Sequence, residues 1–239
     1  MEERTKLVLS AALREFIETG MPVSSEQLYR KYGFKVKPAT IRNELGLLTE
    51  QGFLFQPHTS GGRMPTDKGY RFLVDVVFED TAHEEEKKET RAFDALRDEL
   101  ISGAFTSFVN NLSESLDLLG IGYGLENKNV VKSGLRALVG DLVRNLEVQN
   151  LQEVEEVVSD FELIDERIQD LSRYLGKSRD PSVFIGKSPI TKSRPLSVIA
   201  DRIETEDDEF VIAVIGPKRM DYEGNIKFFV TLKNMLSHE

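Results

Sequence analysis

The amino-acid sequence predicts an α+β protein, and three observations carry that reading. Short apolar repeats at helical spacing fill the first eighty residues and are punctuated by Gly20, Pro22, Gly33 and Pro38. Two longer apolar stripes at the same spacing run through 84–119 and 151–175. In the last third the period shortens to that of strands before a closing amphipathic segment.

The first helix is set by Leu7, Leu9, Leu13, Phe16 and Ile17 and stops at Gly20 and Pro22. In "SSEQLYRKYG", Ser24 or Ser25 caps a short second helix with Leu28 and Tyr32 inward, and Gly33 ends it. After an extended "FKVK", Pro38 takes a first helical position, where its missing N–H costs nothing. In the third helix, "PATIRNELGLLTEQG", Leu45 and Leu48 fall within about 40° of Ile41 at 100° per residue. The outward side then carries Ala39, Asn43, Gly46 and Glu50, with Arg42 at its flank and Thr40 at its start. Small residues there leave room for another surface, and a helix-interior glycine costs roughly 1 kcal/mol against alanine.

"GFLFQP" reads as a short strand and "HTSGGRMP" as a turn with a basic tip, after which Thr66 caps a helix beginning "DKGYRF". Three helices followed by a two-stranded ribbon is the order of a winged helix-turn-helix, whose third helix enters the major groove while the wing lies beside it. Charge supports this expectation. The chain carries a formal net charge of −10, yet residues 30–71 hold eight basic residues against three acidic ones, a basic face on an acidic body.

Beyond a solvated charge run at 84–91, Phe93, Leu96, Leu100, Ala104, Phe108, Leu112, Leu116 and Leu119 form one stripe. Leu151, Val154, Val158, Phe161, Ile164, Ile168, Leu171 and Leu175 form the other. Such stripes are usually core; a surplus over what a small sheet covers predicts a dimer interface through Phe108, Leu112, Leu116, Phe161 and Ile168. "SVFIG", "LSVIADRIE" and "EFVIAVIGP" read as strands, the last two joined by the acidic turn "TEDDE", and "MDYEGNIKFFVTLKNMLSH" as the final helix.

The expected organisation is 1–78 as a winged helix-turn-helix, 79–120 as a helical linker and 121–239 as a second, dimerising domain. At 239 residues, 40% apolar and 30% charged, the chain reads as globular, and without cysteine it has neither disulfides nor a thiolate metal site. No apolar run approaches the ~18 residues of a membrane span, and the charged start does not read as a signal peptide, so a cytoplasmic location is expected. "GIGYG" (120–124) lacks the rest of a phosphate loop and reads as a turn. His58, His83 and His238 are scattered, so no catalytic site, metal or cofactor is expected.

"PATIRNE", "PHTSGGR" and "PTDKGYR", in this order and spacing, with "FIETGMPVSS" upstream, strongly resemble the bacterial heat-inducible transcription repressor HrcA family over residues 3–75. A weaker likeness is "VIGPKRMDYEGNI" at 214–226. The resemblance implies a homodimeric repressor of chaperone operons that binds an inverted repeat, the CIRCE element, upstream of the GroE and DnaK genes. It also implies a GAF-like second domain, here reduced because the chain is shorter than typical members, and a link to the chaperonin GroEL. A rival reading keeps the winged helix but gives the second domain a small-molecule ligand to sense.

On either reading the DNA-contacting residues are the same. Arg42 can bridge guanine O6 and N7, and Asn43 can bridge adenine N6 and N7. Ala39 and Thr40 bring the helix N-terminus to a phosphate. Lys35, Lys37, Lys68 and Arg71 supply phosphate attraction and counterion release. His58, Thr59, Ser60, Gly61, Gly62 and Arg63 form the wing, with Arg63 suited to a narrow minor groove. Glu44 is expected to serve an intradomain ion pair or cap.

Overall fold

The computed structural model describes residues 1–58, 61–81, 91–144, 151–176, 178, 180–206 and 208–237. The chain divides into two compact units, Met1–Val77 and Phe78–Glu239.

The first unit is built from α1 (Glu3–Thr19), α2 (Ser25–Tyr32), α3 (Pro38–Glu50), β1 (Leu54–Phe55), β2 (Met64–Pro65) and the start of α4 (Asp67–Thr81). Its boundaries follow local chemistry. α1 stops where Gly20 turns left-handed, φ 66°, and donates its N–H to Phe16 O at 2.8 Å. Ser24 closes a capping box with Gln27 on α2. Thr66 accepts the Gly69 N–H and donates to Gly52 O, tying the start of α4 to the end of α3. Val8, Leu9, Leu13, Leu28, Ile41 and Leu48 are buried at the centre, each such side chain contributing about 1.5–3 kcal/mol by leaving water. Leu7, expected on the inner face of the first helix, stands 62% exposed; Val8 and Ala11 take the inward positions.

The second unit carries a five-stranded antiparallel sheet in the order β4-β3-β7-β6-β5. Its strands are β3 (Leu119–Gly124), β4 (Val130–Ser133), β5 (Ser182–Ile185), β6 (Leu196–Glu204) and β7 (Glu209–Pro217). The helices are α5 (Arg91–Ile101), α6 (Phe105–Leu116), α7 (Leu135–Arg144), α8 (Leu151–Tyr174) and α9 (Tyr222–Ser237). Strand alternation sorts the side chains to two faces. Ile121, Tyr123, Val198, Val211 and Ala213 join Leu138 of α7 and Ile164, Ile168 and Leu171 of α8 in one core cluster. Toward α6, Phe210 stacks on Phe105 with centroids 4.6 Å apart; toward α9, Ser197 shares a 2.8 Å hydrogen bond with Tyr222. This is the mixed helix-and-sheet architecture that the apolar periodicity predicts, and the GAF-like domain that the resemblance implies.

Several expectations need correction. "GIGYG" is not a turn but most of β3, paired to β4 and β7 along its length. A Cβ on Gly122 would come within 2.5 Å of Phe105 and Val109, so its missing side chain lets α6 lie on the strand. The stripe over 84–119 is broken at Gly103, φ 75°, into α5 and α6, and its last member, Leu119, opens β3. Residues 79–120, expected as a helical linker, are indeed helical over much of their length, and α6 within them packs on β3. Phe108, Leu112 and Ile168 are fully buried inside one chain, so they are core and not a dimer surface. Leu116 and Phe161 are half-buried, Phe161 packing against the sheet-side cluster. An amphipathic stripe tells that a face is covered, not what covers it. The charge run at 84–91 and His83 and His238 fall largely outside the described residues.

Candidate nucleic-acid interface

α3 places its two faces as its period dictates. Ile41, Leu45 and Leu48 are buried, and Glu44 joins them at 6% exposure. That carboxylate is held by Thr5 Oγ1 at 2.7 Å and by Arg4, whose Nε and Nη2 approach to 2.7 and 2.6 Å. The Thr5 hydroxyl, helped by Arg4 and opposed by burial, pulls its pKa below the ordinary glutamate value. Glu44 therefore fastens α3 to α1, as expected of it, and orients the opposite face outward.

On that opposite face Ala39, Arg42 and Asn43 are exposed and Thr40 is half-buried. Nothing lies within 4 Å of where a Cβ on Gly46 would stand, so the helix backbone is open to an approaching surface. Lys35 and Lys37, just before the helix, are exposed as well. Among the described residues, the side chains of Lys35, Lys37, Arg42 and Asn43 make no hydrogen bond or ion pair. Elsewhere in the unit cations are engaged: Arg30 with Glu26, Lys31 with Glu15 and Glu18, and Lys6 with Glu3. The two carboxylates beside Lys31 raise its pKa above the usual lysine value. The cations left without partners are those that precede and flank the outward face of α3.

The ribbon β1–β2 pairs Leu54 with Pro65 and Phe55 with Met64. It is fastened at a second point, where Val23 and Arg63 exchange two backbone hydrogen bonds of 2.8 Å. Gly62 permits that bridge: an added Cβ would lie 2.6 Å from the Pro22 carbonyl and 2.7 Å from Val23 N. Gly61 turns the chain by donating to His58 O at 2.8 Å, and its carbonyl accepts from Gln56 Nε2 at 3.0 Å. His58 is exposed; Thr59 and Ser60 lie outside the described residues.

Two of the expected basic contacts have structural duties. Arg63 Nε donates to Thr49 Oγ1 at 3.0 Å, so the guanidinium rests against α3 and not at the tip of the ribbon. Lys68 Nζ donates to Gln51 O at 2.8 Å and sits 4.2 Å from the Phe53 ring centroid, closing the C-terminal end of α3. Arg71 is exposed on α4 and has an interaction partner within the structure. The capping role of Lys68 was readable only once Gln51 and Phe53 were seen beside it. The candidate surface thus holds three unpaired cations and a carboxamide around a helix, with a pinned hairpin alongside. Chemically that arrangement can attract phosphate and offer base edges a bidentate guanidinium donor and a carboxamide that donates and accepts at once.

Comparisons with known proteins bear on both units. A family model described as "HrcA protein C terminal domain" matches residues 75–226. A "Heat-inducible transcription repressor HrcA" of Chloroflexus aggregans is 51% identical over 82 residues, 34% of this chain and 22% of that protein. One of Thermodesulfovibrio yellowstonii, described in the same words, is 40% identical over 127 residues, 51% of this chain and 36% of that protein. The matched stretches therefore span well under half the length of these relatives. A crystal structure of a hypothetical protein aligns with 100% of this chain and 97% of its own at a TM-score of 0.73 and 17% identity, a likeness of fold alone.

Proposed function

The chain belongs to the HrcA family, and on that premise we propose that it is a sequence-specific DNA-binding transcriptional repressor of heat-shock operons. It acts as a homodimer on an inverted-repeat operator of the CIRCE type. The observation that carries the reading is the exposed, unpaired set Lys35, Lys37, Arg42 and Asn43 around one outward helix face, in a chain of net charge −10. In an acidic protein, cations left without carboxylate partners on one surface are the electrostatic footprint of a polyanion.

The mechanism follows from the geometry. Glu44 clamps the inner side of α3 to α1, so the outer side meets DNA as a rigid edge. Lys35 and Lys37 draw the module onto the backbone by displacing counterions, and Arg42 and Asn43 then read base edges. The Gly61–Arg63 turn, pinned to Val23, holds the ribbon at a fixed position beside the helix. One such module binds too weakly to select a site in a genome; a linked pair gains effective concentration and demands a palindromic target. Release on heating follows if that pairing, or the acidic second unit, opens before the DNA-binding unit does.

Fluorescence anisotropy on a chaperone-promoter fragment, a scrambled fragment and a series of potassium chloride concentrations tests the proposal. The inverted repeat is expected to bind at least a hundredfold tighter than the scrambled duplex, with affinity falling steeply as salt rises. Arg42→Ala is expected to cost about 1–3 kcal/mol on the operator and to relax discrimination at one base pair per half-site. Equal affinity for both fragments, with no dependence on salt, overturns it.

A further inference from the structure

The second unit holds a basic surface that the DNA-binding reading does not use. Between β5 and β6 the stretch "GKSPITKSRP" contains three cations and no carboxylate. Lys187, Lys192 and Arg194 are all exposed. Beneath them the loop is held by a carboxylate that is itself 3% exposed. Asp160 of α8 accepts from Lys192 N at 2.9 Å, Ser193 N at 2.8 Å, Ser193 Oγ at 2.5 Å and Arg167 Nη1 at 2.7 Å. A second tie inside the loop joins Ser188 and Thr191, through a 2.8 Å backbone bond and a 2.8 Å contact between their hydroxyls. A buried carboxylate is costly to desolvate unless its oxygens are satisfied, and here two N–H groups and a hydroxyl of this loop, with Arg167, satisfy them. The cations therefore project from a fixed platform.

The opposite charge stands on the same helix that supplies Asp160. Glu155, Val158, Glu162 and Glu166 follow one another at three- and four-residue steps, which places them on one side of α8. The three glutamates are exposed and Val158 is 39% exposed. Several other ions of the unit are paired: Arg173 with Asp170, Lys132 with Asp165, Arg202 with Glu209, Lys233 with Asp201. Among the described residues, neither the three loop cations nor these three glutamates close an ion pair. Glu162 and Glu166 are also like charges four residues apart, which repel unless a cation comes between them.

We propose that these two surfaces pair across a two-fold axis, the Lys187–Arg194 loop of one chain lying on the Glu155–Glu166 side of α8 in a second copy. The contact is isologous, so each pair forms twice, with the two Val158 side chains as its apolar component. This rests on the dimeric reading above and replaces an interface through Phe108, Leu112 and Ile168, which are buried inside each chain. The fixed loop lowers the ordering cost of association.

Sedimentation velocity on the full chain tests it. The wild type is expected to be dimeric in 0.1 M potassium chloride and to dissociate toward monomer in 0.5 M. K192E/R194E and E162K/E166K, all surface changes, are each expected to self-associate at least tenfold more weakly, with unchanged circular dichroism. Mixing the two reversed variants is expected to restore the dimer, because both contacts are again of opposite sign. A monomeric wild type, unaltered self-association of either variant, or folded variants that do not associate on mixing overturns the proposal. So does a K192E/R194E protein that loses only affinity for scrambled duplex, which makes the loop a phosphate contact. Operator binding by the wild type is measured separately: its loss strikes the repressor reading, while a wild type that binds operator yet fails the charge exchange strikes only this interface.

Discussion

Replacing Gly46 by alanine separates the stability of α3 from its use. The residue sits inside the helix Pro38–Glu50, and an added Cβ would find no atom within 4 Å. No steric cost therefore offsets the gain in helix propensity, about 1 kcal/mol for alanine over glycine. Hydrogen exchange at the amides of α1 and α3 reads this locally, without a contribution from the second unit. An increase of about 1 kcal/mol appears there as roughly fivefold slower exchange through unfolding of the unit. The same methyl group stands on the surface proposed to enter the major groove, where it holds the backbone away from the bases. Operator affinity, followed by fluorescence anisotropy at fixed salt, is expected to fall about tenfold, equivalent to ~1.4 kcal/mol. Stability and affinity thus move in opposite directions. A variant that is more stable and binds the operator as tightly as the wild type would refute the docking of this face, and one that is not stabilised would refute the open environment of Gly46.

Further outcomes follow from neighbouring contacts. Gly62→Ala drives a Cβ into the Pro22–Val23 backbone and breaks the two Val23–Arg63 hydrogen bonds, at about 1 kcal/mol each; hydrogen exchange is expected to show a loss of about 2 kcal/mol in the first unit, and operator affinity to fall with it. Lys68→Met removes the cap on Gln51 O and is expected to cost about 1 kcal/mol of stability while leaving the salt dependence of DNA binding unchanged. Lys37→Gln is expected to do the reverse, lowering the slope of log affinity against log salt by about 1.8, one contact being lost from each protomer of the dimer, with stability intact. Glu44 has its pKa lowered chiefly by the Thr5 hydroxyl, so its stabilisation of the first unit is present above the ordinary glutamate pKa and lost as pH falls through the depressed folded value. Acid unfolding followed by hydrogen exchange should show that limb in the wild type, and Glu44→Gln should lack it.

The elements most readily read from the amino-acid order are those whose burial pattern is local. β6 and β7 begin and end at the expected residues, Leu196–Glu204 and Glu209–Pro217, because two apolar runs flank an acidic turn. The inner face of α3 is legible for the same reason: Ile41, Leu45 and Leu48 repeat at the helical period and are buried. β3 is hard to read along the chain because glycines are strong turn signals in isolation; Gly120 and Gly122 serve instead the approach of Val109, Ser113 and Phe105 from a helix. β4 and α7 carried no motif strong enough to be singled out.

At the interface the difference is one of partners. The helical period places Asn43 outward with Arg42 at its flank, and the DNA-binding reading adds Lys35 and Lys37 as phosphate contacts and Glu44 as an intradomain ion-pair or cap partner. Whether a cation is available or already engaged depends on residues distant in the chain: Thr49 takes the Arg63 guanidinium, and the Gln51 carbonyl with the Phe53 ring takes Lys68. The apolar stripes of α6 and α8 follow the same logic, their period announcing a buried side and the sheet supplying the cover, β3 for α6 and the sheet-side cluster for α8. Periodicity is a property of a few consecutive residues and can be read along the chain. Pairing, cover and close approach join residues far apart in it, and they exist only after the chain has folded back on itself.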